Sequence, residues 1–164
     1  MPDNYHPLFS EILDRVSKLK TKKEKVAFLQ RYNSDALRMV IKSSFDPNIE
    51  WDLPEGEVPF SANDAPEGTE HTMLITEARK LFHFIKGGNP QLTTNKRESM
   101  FVQMLEGLNQ NEANLLVAAK DKKLHQLYKG LSKNVVMEAF NWDDNFMVVE
   151  HEMYAQTPGS ASGV

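Results

Sequence analysis

Between Phe101 and Trp142 a helical apolar pattern breaks twice in the same way, at Gly107-Leu108-Asn109 and at Gly130-Leu131-Ser132. Glycine suits the left-handed position that closes a helix, and Asn or Ser suits the N-cap of the next one. Each break therefore predicts a tight helix-to-helix hairpin that presents the N–H groups of a fresh helix start. Such a start can hold an anion. Lys120, Lys122, Lys123, Lys129 and Lys133 stand close by in the sequence.

The rest of the chain carries similar punctuation. Leu8, Phe9, Ile12, Leu13, Val16 and Leu19 fall at helical spacing over residues 7–20. Thr21-x-x-Glu24 is a capping box for a second helix with Val26, Phe28, Leu29 and Tyr32. An Asn33/Ser34 cap opens a third, through Leu37, Val40 and Ile41 to about Phe45. A helix from Thr72 to about Lys86 would bury Leu74, Ile75, Ala78, Leu81, Phe82 and Ile85, ending at Gly87-Gly88-Asn89-Pro90. Thr93, Thr94 and Asn95 offer caps for a helix containing Phe101, Val102, Met104 and Leu105. Leu115, Leu116, Ala118, Ala119, Leu124, Leu127 and Tyr128, then Val135, Val136, Ala139 and Phe140, complete the expected core. The fold class predicted is all-α, a compact bundle of about six to seven short helices joined by tight hairpins.

One segment departs from that pattern. Pro47, Pro54, Pro59 and Pro66 with Gly56 and Gly68 exclude a long helix, and Ile49, Trp51 and Leu53 alternate with acids as a short strand or extended arm would. Residues 43–71 hold eight acids and residues 141–164 four, neither stretch containing Lys or Arg. The formal net charge of −4 thus hides a helical body of about +8 with two acidic appendages. We expect a single helical domain over residues 1–142, including an acidic extended loop at 46–71, and an acidic tail at 143–164 whose Gln156–Gly163 end reads as disordered. No apolar run approaches the roughly 20 residues of a membrane span, and the N-terminus lacks the basic region of a signal peptide. The absence of cysteine fits a cytoplasmic protein.

No catalytic constellation emerges. The sequence lacks both Gly-rich nucleotide-binding motifs, and its five histidines form no pair at metal-ligand spacing. The expectation is a non-enzymatic protein without cofactor or metal. Two basic clusters remain: Lys18, Lys20, Lys22, Lys23 and Lys25 at a helix junction, and Lys86, Lys96 and Arg97 around the glycine loop. The first reads either as a solvated helix end or as a phosphate contact.

From Leu8 to Trp142 the chain resembles the N-terminal DNA-binding domain of phage-type ATP-dependent DNA ligases. The resemblance rests on Leu8-Phe9-Ser10-Glu11-Ile12-Leu13 followed by Lys22-Lys23-Glu24-Lys25, the Asp46–Pro54 segment, Ala78-Arg79-Lys80-Leu81 leading to Gly88-Asn89, and Leu124–Trp142. Gly130-Leu131-Ser132 followed by Val135, Val136 and Trp142 is similar to the hairpin before that family's final DNA-contacting helix. Both Gly-Leu turns also resemble helix-hairpin-helix phosphate clamps, with Asn109 in place of a second glycine. The nucleotidyltransferase Lys-x-Asp-Gly motif is absent, the arm carries acids where many ligases carry bases, and the tail has no counterpart. The resemblance implies a small, stand-alone accessory protein of a tailed phage, akin to an uncharacterised family of these.

Two functions follow. The first is low-specificity binding of duplex DNA, with phosphates held by Lys20, Lys22, Lys23, Lys96, Arg97, Gly107, Leu108, Asn109, Lys129, Gly130, Leu131, Ser132, Lys133 and Asn134. The alternative is docking on a phage or host replication or transcription factor through Glu50, Trp51, Asp52, Phe146 and Tyr154.

Overall fold

Five helix starts are set by side chains suited to the N-cap. Thr21, Ser34, Thr93, Asn109 and Ser132 each accept a hydrogen bond from the backbone N–H three residues on. Glu24 returns the bond to the Thr21 amide, completing the capping box. The computed structural model describes residues 7–61 and 71–142. Among the described residues the fold is all-α: α1 (Phe9–Lys18), α2 (Lys22–Arg31), α3 (Asp35–Phe45), α4 (Leu74–Glu77), a 3-10 helix (Ala78–Phe84), α5 (Thr94–Gly107), α6 (Gln110–Lys120), α7 (Leu124–Leu127) and α8 (Lys133–Phe140). None of these helices is long and apolar enough to cross a membrane.

Helix α3 is the central element, packing on α4, α6, α7, α8 and the 3-10 helix. Leu37, Val40 and Ile41 are fully buried, and so are polar neighbours that the fold puts to use. The Ser43 carbonyl accepts from the Trp51 indole N–H at 2.9 Å, and Ser44 Oγ accepts from the Leu124 amide at 3.3 Å. Lys42 has no exposed surface; its ammonium lies 3.4 Å from the equally buried Asp46 carboxylate and 4.8 Å from the centre of the Trp142 ring. A buried lysine is tolerated where a carboxylate and an aromatic face replace its water.

The helix expected from Thr72 to Lys86 changes pitch partway. After one α-turn, residues 78–84 wind as a 3-10 helix, in which side chains three apart share a face. Leu74, Ala78, Leu81 and Phe84 form the buried stripe, whereas Ile75 and Phe82 are 46% and 38% exposed. The expectation that Ile75 and Phe82 are core fails: for Phe82 it used a period of 3.6 where the chain uses 3, and Ile75 sits in the short α-turn whose buried residue is Leu74. Leu127 is likewise 46% exposed, because α7 is a single turn. The bundle has more and shorter helices than expected. The pitch change adds one, and a left-handed Lys122 (φ 59°) separates α6 from α7.

The extended arm lies where alternation placed it. The Asp52 amide donates to the Phe84 carbonyl at 2.7 Å and the Lys86 amide to the Glu50 carbonyl at 2.8 Å, bracketing one antiparallel bridge between Trp51 and Ile85. Ile49 and Trp51 face inward, Trp51 edge-on to Phe101.

Candidate nucleic-acid interface

The first hairpin is closed from within. Helix α5 ends at Gly107 with no left-handed residue: the glycines of positive φ among the described residues are Gly56, Gly87 and Gly130. The chain instead passes through extended Leu108, fully buried, to Asn109, which is 5% exposed and caps α6. The Gly107 carbonyl accepts from the Thr72 amide at 2.7 Å, and the Thr72 side chain lies over the glycine. From the opening turn of α6 the Glu112 side chain reaches inward. Its Oε2 accepts from the Phe9 amide and its Oε1 from the Leu74 amide, each at 2.9 Å. Those amides open α1 and α4.

Helix starts therefore do converge on an anion here, and the anion is Glu112. Burial pushes its pKa up, opposed by the Leu74, Phe9 and Ser10 amides, which favour the charged carboxylate. Gly107, Leu108 and Asn109 leave the set of expected DNA contacts, because Leu108 and Asn109 are buried and the Thr72 side chain covers Gly107.

Arg97 leaves it as well. It is 6% exposed, and its guanidinium donates to the carbonyls of His83 (3.1 Å), Asn89 (3.4 Å) and Leu92 (3.0 Å) while standing 3.3 Å from Asp52. The planar fork is spent on holding the 83–92 loop and the arm together. Lys96, one residue earlier, is exposed at the start of α5, remote in sequence from the other lysine cluster.

The arm neutralises one flank of the body. Glu50 pairs with Lys86 at 3.0 Å, and Lys123 stands 3.9 Å from Glu55. Lys120 donates to the carbonyls of Pro54 (2.7 Å) and Gly56 (3.1 Å), and Lys122 to that of Asp46. Burial lowers the Lys122 pKa against the pull of Asp46 and Glu50. Lys120, Lys122 and Lys123 are thus tied to the arm rather than offered to a ligand. Trp51, expected to anchor a protein partner, is 9% exposed and hydrogen-bonded, so it cannot serve as an exposed anchor. Glu50 and Asp52 are engaged in the ion pairs just given, and Phe146 and Tyr154 lie outside the described residues.

The second hairpin differs in its glycine and in its exposure. Gly130 has φ 95°, a conformation that side chains rarely adopt, and lets the chain turn back after α7. Leu131 is fully buried and anchors the turn, with its amide donating to the Tyr128 carbonyl at 3.0 Å; it is core rather than contact. Lys129, Gly130, Ser132, Lys133 and Asn134 are exposed around it. Ser132 caps α8, whose first turn holds no acid. Its first amides have no carbonyl of their own helix to meet.

Against this turn lies Lys25, whose Nζ would be 2.6 Å from a Cβ built on Gly130, with the Ser17 carbonyl at 3.6 Å from the same point. Helix α2 packs chiefly on α8, and Lys22 bridges the two by its 3.0 Å pair with the exposed Glu138. Two lysine groups about a hundred residues apart in sequence are thereby joined where α2 packs on α8. Lys18, Lys20, Lys22, Lys23 and Lys25 belong to α1, α2 and their junction and Lys129 and Lys133 flank the turn, with Glu11, Asp14, Glu24 and Glu138 as acids on the same helices. Lys25 belongs to the sequence cluster but not to the residues first singled out. The capping box gave its register, yet only the packing of α2 on α8 sets it against Gly130.

A family model described as a family of unknown function (DUF6433) matches residues 12–126, most of the chain; the second hairpin follows the matched span. No curated protein and no solved structure matches.

Proposed function

The chain belongs to the DUF6433 family, whose function is unknown, and we propose that it is a non-catalytic accessory protein that binds the phosphate backbone of duplex DNA at the second hairpin. One observation carries the reading. The Lys25 ammonium rests against the left-handed Gly130, joining the lysines of the α1–α2 junction to those around the start of α8. The contact set is Lys20, Lys22, Lys23, Lys25, Lys129, Ser132, Lys133 and Asn134. Lysines act as point charges toward phosphates, and backbone amides at a helix start add direction. Neither reads base edges, so binding is expected to be weakly dependent on sequence. The resemblance to ligase DNA-binding domains supports the same hairpin, and nothing in the geometry favours docking through Trp51.

The test joins the two sequence-distant clusters in one variant. Lys23 and Lys129 are both exposed and in no ion pair among the described residues. Lys23→Glu places an acid in the first turn of α2, where it suits the helix dipole, so the fold is expected to tolerate it. A salt-titrated anisotropy assay on a fluorescent duplex should show binding weakened by at least about tenfold in the double variant Lys23→Glu/Lys129→Glu. Its slope of log affinity against log salt should fall by about 2, one for each lysine lost. A folded double variant with wild-type affinity and slope would remove the site.

A further inference from the structure

The pitch change at residue 78 has a consequence on the outer side of the bundle. With Ala78, Leu81 and Phe84 inward, the threefold winding puts Arg79 with Phe82, and Lys80 with His83, on two outward ridges. The Lys80 charge lowers the His83 pKa, second to burial, and Lys80 also contacts Glu77 at 3.3 Å. Phe82 is 38% exposed, with its ring centre 4.0 Å from that of His83 and tilted 34° to it. Arg79 is exposed and has no acidic partner among the described residues.

This ridge is rigidly held. His83 Nδ1 accepts from the Asn89 side-chain amide at 2.9 Å, and the His83 carbonyl takes a bond from buried Arg97. A Cβ on Gly88 would lie 1.9 Å from the Phe82 carbonyl, so only glycine lets the loop close on the end of the helix. The exposed phenyl is therefore presented by a fixed frame, not by a loose loop. An aromatic ring already stacked on one neighbour, with a guanidinium one 3-10 turn away, matches what an unpaired nucleobase and its phosphate require.

We propose that Phe82, backed by His83 and flanked by Arg79 and Lys80, is a stacking platform for an unpaired base of single-stranded nucleic acid. The site is separate from the hairpin: the 3-10 helix packs on α3, α4 and α5, whereas α8 packs on α2 and α3. It does not depend on the duplex reading, and a protein therefore gains a way to engage strands that are not fully paired.

The probe is an oligo(dT) of about 20 nucleotides, whose bases stack readily on aromatic side chains. Phe82→Ala should weaken it by about tenfold, while Phe82→Trp should retain affinity. The indole introduced by Phe82→Trp should be quenched on binding, against a background of Trp51 and Trp142, which are only 9% and 5% exposed. Adding Lys23→Glu/Lys129→Glu should leave that quenching in place, which separates failure of the hairpin from failure of the ridge. Oligonucleotide binding that is absent from the wild type, unchanged by Phe82→Ala, or without effect on the emission of the Phe82→Trp variant overturns the proposal; the last would leave the ridge to a protein segment.

Discussion

Replacing Glu112 with alanine should destabilise the fold far more than the loss of an exposed carboxylate. Its two oxygens each accept a backbone amide at 2.9 Å from a helix start on a different part of the chain, more than 30 residues away in sequence. Hydrogen bonds to a charged acceptor contribute about 1.5–3 kcal/mol each, and their donors are buried, so water does not replace the acceptor. Relief of the carboxylate's own desolvation offsets part of that sum. The net expected loss is about 3 kcal/mol. With a urea slope of about 1.5–2 kcal/mol per M, the midpoint followed by circular dichroism should fall by about 1.5–2 M.

Two companion variants sharpen the test. Glu112→Gln keeps one acceptor and sets an NH2 against the other amide, so its loss should lie between wild type and alanine. Exposed Glu11 accepts the neighbouring Leu8 amide at 2.7 Å, and Glu11→Ala should cost about 1 kcal/mol or less. Because burial holds the folded pKa of Glu112 above its ordinary 4.5, the folded protein binds more protons in the window between the two. The stability this adds is full below pH 4.5 and is lost as pH rises through the folded value. The gap between wild type and Glu112→Gln should therefore widen on acidification from about pH 7 toward 4.5. A Glu112→Ala midpoint within experimental error of the Glu11→Ala midpoint would refute the shared-cap reasoning.

Three further outcomes are expected. Arg97→Ala should cost about 3 kcal/mol in the same urea assay, by freeing three carbonyls and Asp52, yet leave the duplex affinity of the folded fraction unchanged. Gly130→Ala should cost about 1–2 kcal/mol for its φ of 95° and weaken duplex binding by displacing Lys25, whereas Gly107→Ala, helical and meeting only the Thr72 side chain, should cost under about 1 kcal/mol. His83 has a pKa below 6.5 because burial and Lys80 disfavour its charged form; its stabilising effect is full above pH 6.5 and declines as pH falls, so acidification to about pH 5 should penalise wild type more than His83→Gln.

What can be read from the residue order is whatever depends on neighbours in sequence. The five N-caps, the left-handed Gly130 and the inward alternation of Ile49 and Trp51 are local properties, and each is visible there. The two Gly-Leu turns look alike for the same reason, since one local rule reads both as a left-handed glycine before an N-cap, yet only Gly130 adopts that conformation. What separates them lies far away: Thr72 covers the first, while Lys25 lies against the second. Phe82-His83-Phe84-Ile85 offers an aromatic or apolar side chain at every position, so no periodicity could choose between a pitch of 3.6 and one of 3.

Charge illustrates the same limit with more consequence for function. In the sequence, an acidic arm beside a basic body implies repulsion of any polyanion, and a sum over the body implies a field spread over many faces. In the fold the arm's acids meet particular bases, Glu50 with Lys86, Asp52 with Arg97 and Glu55 near Lys123, while its carbonyls take Lys120 and Lys122. The exposed pairs, Glu50 with Lys86 and Glu55 near Lys123, contribute little to stability, but they reduce the field on that flank. Among the described residues the arm makes no such pair with the lysines of α1 and α2, where Lys18 and Lys22 meet only Asp14 and Glu138. The arm therefore acts on electrostatics by subtraction: it quiets one flank of the bundle and leaves the lysines around Gly130 as the face that the proposed duplex contact uses.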